Sequence, residues 1–132
     1  MNAVVLGGRT GLLGQALCVA LHKRGWNALA MGRADLNLFD RPAVEACLAN
    51  SRADVLFNTV AYTKVDQAEE EPGEAARLNR QLPLILGKAA KATGVRLVHY
   101  STDFVFSGKK TTPYTIEDQT DPRSVYGQTK LQ

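Results

Sequence analysis

Tyr126 and Lys130 stand four residues apart near the end of the 132-residue chain. On a helix that spacing puts them on one face. A free tyrosine phenol titrates at about 10. An ammonium beside it favours the phenolate and makes the phenol a better proton donor near neutral pH. Alone, the pair also fits an accident of a solvated helix. Thr102 strengthens it, because it follows the apolar run from Val95 to Ser101, which predicts a strand. Reduction of a ketone needs a hydride, a proton for the developing alkoxide and a hydrogen bond to the carbonyl oxygen. Tyr126 is the candidate proton donor, Lys130 its electrostatic partner, and the Thr102 hydroxyl the group that holds the substrate oxygen.

A hydride source implies a dinucleotide, and the start of the chain offers a place for one. Ala3–Leu6 is a short, wholly apolar run, as in a strand buried on both faces. Gly8, Gly11 and Gly14 follow at intervals of three. Gly8 is expected to turn the chain out of the strand. Gly11 lets backbone N–H groups approach a pyrophosphate, and Gly14 lets the helix pack close to the strand. A plain structural turn is the alternative. Arg9 lies in this turn, and Arg33 follows the second predicted strand, Asn27–Met31. A basic residue there accommodates a ribose 2′-phosphate, whereas an acid takes the 2′-OH. The two arginines favour NADPH, with NADH as the alternative because Asp35 is close by.

The intervening elements alternate. A helix is expected over Leu12–Arg24, stopped by Gly25. A short third strand spans Leu36–Leu38. Asp40 caps a helix with Pro42 in its first turn. A fourth strand covers Asp54–Asn58, and Thr59–Thr63 leaves its ligand-binding end. A long helix opens at Pro72 or Gly73 and runs to about Thr93, kinked at Pro83, which removes a backbone bond to the Asn79 carbonyl. The fifth strand is Val95–Ser101. Ser107–Arg123 reads as a long loop of the kind that is functional or disordered, and a helix begins at Val125. Strands alternating with helices predict an α/β fold. It is a Rossmann-like, doubly wound parallel sheet of order 3-2-1-4-5, with the cofactor across the switch point between strands 1 and 4.

One domain of 132 residues, with 45% hydrophobic residues and a net charge of +3, carries no concentrated basic patch. A nucleic-acid partner is therefore not expected. No apolar run approaches a membrane span. Cys18 and Cys47 fall in apolar helical patterns and read as reduced core thiols, consistent with a cytoplasmic protein. His22 reads as a surface residue and His99 as a core one. Neither has partners at metal-ligand spacing, so no metal site is expected.

The motifs GGRTGLLG, NTVAYT, HYSTDFVFSG and VYGQTK, in this order, resemble the extended short-chain dehydrogenase/reductases. With AYTKVDQAEEEP and PYTIEDQTDPRSVYGQTKL, they resemble more narrowly the dTDP-4-dehydrorhamnose reductase family. That resemblance implies a catalytic trio of Thr102, Tyr126 and Lys130. It implies a pyrophosphate turn at Gly8, Gly11, Leu12 and Leu13, and adenine contacts at Asn37 and Leu38, where the family usually has Asp before the hydrophobic residue. It places Val60, Ala61, Tyr62 and Tyr100 near the nicotinamide, and Thr102 and Asp103 on the substrate. Asn79 matches a helix asparagine whose backbone carbonyl can hold a water leading to the lysine, and Pro83 would free that carbonyl. Phe104 stands where related sugar-nucleotide dehydratases carry an acid, which favours reduction over water elimination.

The implied reaction is NADPH-dependent reduction of the 4-keto group of dTDP-4-dehydro-L-rhamnose to dTDP-L-rhamnose. The partner is a dTDP-sugar, and a homodimer is allowed. The resemblance spans only the first half of the family. A truncated reductase is therefore expected, lacking the last strands and the substrate domain and showing little turnover alone. A non-catalytic, nucleotide-binding regulatory subunit is the alternative.

Overall fold

The computed structural model describes all residues, Met1–Gln132. They form two compact units. The first comprises Met1–Val60 and Leu82–Tyr100, the second Ala61–Gln81 and Ser101–Gln132.

The first unit is a parallel sheet with helices. Strands β1 (Asn2–Leu6), β2 (Asn27–Met31), β3 (Val55–Asn58) and β4 (Arg96–His99) are joined through α1 (Leu12–Lys23), α2 (Arg41–Asn50) and α5 (Leu82–Thr93). All neighbours are parallel, in the order β2-β1-β3-β4. The Rossmann-like fold therefore stands, with four of the five expected strands. Leu36–Leu38 does not pair. The Asn37 side chain accepts a hydrogen bond from the Phe39 amide at 3.1 Å, and the Asn37 carbonyl accepts one from Asp40 at 3.1 Å. These local turn bonds satisfy backbone groups that a three-residue strand would have offered to a neighbour.

Burial explains the continuous apolar runs. Ala3 and Val5 pack with Cys18 and Leu21 of α1, together with Trp26 and Phe57. Val4, Leu6 and Leu56 alternate with them and are also buried, as are Val44 and Leu48 of α2 and Leu82 and Leu86 of α5. Strands buried on both faces need no polar alternation. Cys18 is buried, Cys47 half-buried, and both are free thiols whose pKa burial raises. His99, expected in the core, instead lies exposed at the end of β4. Its Nδ1 is 3.1 Å from the Asn58 amide nitrogen, so Nδ1 accepts and the ring proton sits on Nε2.

The glycine turn after β1 differs in one respect from expectation. The residue with positive φ is Gly7 (φ 80°), not Gly8. Gly8 is needed for closeness, since a Cβ there would lie 2.9 Å from the Val5 carbonyl oxygen. At Gly14 a Cβ would lie 2.5 Å from the Gly7 carbonyl oxygen. Helix α1 thus rests directly on the backbone of the turn.

The second unit holds α3 (Val65–Glu70), α4 (Pro72–Ala76), a π-helical turn at Arg77–Gln81, a 3-10 turn at Asp103–Val105 and α6 (Val125–Leu131). The single helix expected from Pro72 to Thr93 is therefore α4, the π turn and α5 in succession. A π turn is one of the few ways a helix admits an interruption such as Pro83. The core of this unit is Tyr62, Ala68, Ala75 and Tyr126, flanked by Val65, Leu78 and Val125. The long loop is held by its own side chains. Phe106 stacks on Tyr114 at 4.4 Å, and Lys110 pairs with Asp118 at 2.6 Å.

Replacing Gly14 with Ala should force the turn and helix apart. The expected cost is about 1–3 kcal/mol, the range for overpacking a tight contact. Urea unfolding should show a lower midpoint with an unchanged slope.

Candidate functional site

The register of the sheet brings its strand ends level. Leu6 is opposite both Met31 and Asn58, and Asn58 is opposite His99. The segments expected to hold a dinucleotide in the first unit leave from this edge. They are the Gly7–Gly11 turn, Gly32–Leu38, Thr59–Val60 and Tyr100. The Thr59 hydroxyl donates to the Leu6 carbonyl at 2.6 Å, and Val60 N–H donates to the Asn58 side chain at 3.1 Å. Both bonds tie the exit of β3 down.

At the head of α1, Gly11 is the N-cap and no side chain caps the helix. Gly11 N–H donates to the Gly7 carbonyl, and Gln15 N–H to the Gly11 carbonyl. The amides of Leu12 and Leu13 belong to the first turn, where a helix lacks internal acceptors. Leu12 is 92% exposed and fills no core. A cradle of close-packed glycines without an acid in the first turn fits an anionic pyrophosphate.

Arg9 and Arg33 fare differently. Arg9 Nε lies 2.6 Å from Asp35 Oδ2, and the same oxygen accepts the Gly32 amide at 2.7 Å. The end of β2 therefore does carry an acid, folded back from three residues beyond Gly32. Sequence spacing placed Asp35 only nearby. Arg33 is exposed and makes no ion pair. Asn37 is exposed and Leu38 half-buried in the turn segment already described. Tyr100 is half-buried just beyond β4.

In the second unit, Tyr126 shares the core with Tyr62, and Thr102 and Asp103 head the turn that packs Phe104 against it. Thr102 caps the 3-10 turn, its Oγ1 accepting from Phe104 N–H at 3.2 Å and its hydroxyl donating to Asp103 at 3.2 Å. Phe104 packs edge-on against the Tyr126 ring, with centroids 5.5 Å apart and planes at 75°. The residue that replaces the dehydratase acid thus walls the candidate proton donor. Tyr126 is 9% exposed. Lys130, one turn along α6, is half-buried, and desolvation lowers its pKa. A cleft of about 350 Å³ opens beside Asp103, Phe104, Phe106, Tyr114 and Arg123.

Tyr62 departs from its expected place. Its ring is buried in the core of the unit, and its hydroxyl donates to Glu71 Oε2 at 2.7 Å. Burial and the hydrogen bond to Glu71 push its pKa up to about 12. The same bond, with one from Gln67, holds the Glu71 carboxyl below its usual range. Asn79 takes both backbone groups of Tyr62, so Ala61 is the part of this segment left to a ligand role.

Three positions were not singled out by sequence as structural supports of α6. Asn79 is buried and bonds through its side chain. Thr129 is its buried partner. At Gly127 a Cβ would run into the Phe104 carbonyl oxygen. The sequence signal for Gly127 and Thr129 was their place inside VYGQTK, and for Asn79 its match to a helix asparagine read for its backbone carbonyl.

The family model described as RmlD substrate binding domain matches residues 1–132. A dTDP-4-dehydrorhamnose reductase of Streptomyces griseus is 42% identical over 123 residues, which is 93% of this chain and 40% of that protein. The crystal structure of a dTDP-4-dehydrorhamnose reductase from Clostridium acetobutylicum superposes with a TM-score of 0.91 at 32% identity, covering 99% of this chain and 46% of the other. The reductase of Bacillus anthracis, solved in complex with NADP, gives 0.91 at 28% identity over 98% of this chain and 46% of its own. The chain thus spans less than half the length of these relatives.

Tyr62 favours the neutral phenol in the fold, so it stabilises fully below its unfolded pKa of about 10. That contribution is lost as pH rises toward about 12. Urea midpoints should therefore fall through this window in the parent chain. In Tyr62→Phe the fall should be shallower.

Proposed function

The chain belongs to the RmlD substrate binding domain family, and from that premise we propose that it forms the cofactor and proton-transfer part of a dTDP-4-dehydrorhamnose reductase. The observation that carries this reading is the pairing of Tyr126 and Lys130 on one short helix, with Tyr126 walled by Phe104 and Thr102 at the head of the adjoining turn. The substrate is a dTDP-4-keto-6-deoxyhexose, and the product is dTDP-L-rhamnose.

The glycine cradle at the head of α1 would hold the pyrophosphate of NADPH, with Asn37 and Leu38 toward the adenine and Val60 and Tyr100 toward the nicotinamide. NADPH held there would supply a hydride for the carbonyl carbon. The chain supplies the rest. Thr102, its hydroxyl turned away from Asp103, donates a hydrogen bond to the carbonyl oxygen, and Asp103 contacts the sugar. Tyr126 gives its phenolic proton to the oxygen as negative charge develops there. Lys130 stabilises the phenolate left behind. Its partial desolvation strengthens that interaction, because charges act over a lower effective dielectric.

Asp35 bears on cofactor choice. While it pairs with Arg9, the positive charge that would meet a 2′-phosphate is partly neutralised. Asp35→Asn should release Arg9. NADPH affinity should rise relative to NADH by about three- to fivefold, the scale of an exposed ion pair. Titration of each cofactor by fluorescence reads this directly, and an unchanged ratio removes Asp35 from the reading.

The central test is oxidation of NADPH by dTDP-4-keto-6-deoxyhexose. It is run on the 132-residue chain and on a form extended past Gln132 with the remainder of the Streptomyces griseus relative. Turnover in the extended form is expected, with Tyr126→Phe lowering kcat by at least about a hundredfold, as loss of a general acid does. No turnover in either form, with cofactor bound, overturns the reductase reading.

A further inference from the structure

We propose that the side chains of Asn79 and Thr129 form a buried clamp that sets the pose of α6, making them positioning residues for proton transfer by Tyr126 and Lys130. The proposal rests on the reductase reading above. It assigns Asn79 a role through its side-chain amide, distinct from the backbone-carbonyl role that the family resemblance implies.

The hydrogen-bond directions are forced by the donor inventory. Tyr62 N–H must donate, so the Asn79 oxygen faces it, at 2.9 Å. The Asn79 amide nitrogen then donates twice, to the Tyr62 carbonyl at 3.1 Å and to Thr129 Oγ1 at 3.1 Å. Thr129 Oγ1 accepts there, so its own proton goes to the Tyr126 carbonyl at 3.0 Å. A continuous run of bonds joins the Tyr62 backbone, Asn79, Thr129 and the Tyr126 backbone. Asn79 is 3% exposed and Thr129 6%. No buried side-chain polar atom lacks a partner.

The clamp matters because α6 cannot hold itself. It has seven residues, too few for a stable isolated helix. Its pose is set by what it touches. Val125 N–H is held by Glu69 at 2.8 Å, and Gly127 rests against the Phe104 backbone. Those two contacts secure the N-terminal half. Thr129 sits in the C-terminal half, next to Lys130, and through Asn79 it ties the helix to the Ala61–Tyr62 segment expected near the nicotinamide. A satisfied buried polar network specifies one geometry where apolar packing would accept several. Displacing a reacting group by an ångström or so can cost about a hundredfold in rate.

The test compares Thr129→Val, which keeps the volume and deletes the hydroxyl, with Thr129→Ser, which restores it. Turnover is measured in the extended form and amide hydrogen exchange over residues 126–131 in both forms. In Thr129→Val, kcat should fall about tenfold with KM within about twofold, and exchange in α6 should quicken. Thr129→Ser should recover both. Should Thr129→Val fold poorly, Thr129→Ser and Asn79→Ser, compared at matched thermal stability, give the same contrast between an intact and a broken clamp. An active Thr129→Val with parental kcat overturns the clamp. Absence of turnover in the parent overturns the reductase reading instead, whatever the exchange shows.

Discussion

Everything in the first unit depends on parallel pairing that keeps four strand ends level. Leu6, Met31, Asn58 and His99 occupy matching positions across the sheet. Parallel strands can be joined only through crossovers, so each strand must leave at that edge and return by a helix or long connection. The exits therefore gather by topology. The Gly7 turn, Gly32 and Asp35, Thr59 and Val60 all follow from one register. A slip by a residue would turn Val5 and Leu6 to opposite faces and break the edge with the core.

The close contact between α1 and the turn is the local counterpart of that constraint. Only a residue without Cβ lets α1 begin so near the Gly7 carbonyl. The nearness in turn puts first-turn amides beside the strand edge without any side-chain cap. Geometry that suits packing and geometry that suits an anion coincide here, since both require bare backbone.

The second unit solves a different problem, how to hold a short helix still. Tyr126 packs in the core of the unit, with the Phe104 ring edge-on against it. Packing tolerates small rotations, and directional bonds do not. Glu69 at the head of α6 and Asn79 beside its middle supply the direction. The phenol of Tyr62 is held by Glu71 in the same unit, which explains why a tyrosine expected beside the nicotinamide contributes its ring to the core.

Much of this was written in local pattern. The apolar run at β1, the cap at Asp40, the stop at Gly25 and the spacing of Tyr126 and Lys130 each depend on residues within a few positions, and such features survive in a linear reading. Leu36–Leu38 misled because an Asx turn and a three-residue strand look alike until pairing partners are known. Gly7 and Gly8 exchanged duties because φ and clearance are properties of the folded backbone. The reach of Asp35 back to Gly32 and Arg9, the inward turn of Tyr62, the exposure of His99 and the clamp from Asn79 to Thr129 were settled only by the tertiary structure. They join positions whose meeting depends on fold, up to 50 residues apart for Asn79 and Thr129. The linear order of residues sets which chemical groups the chain owns and which short elements carry them. Tertiary structure decided which of those groups touch, because hydrogen bonds and burial act over ångströms in space and are blind to distance along the chain.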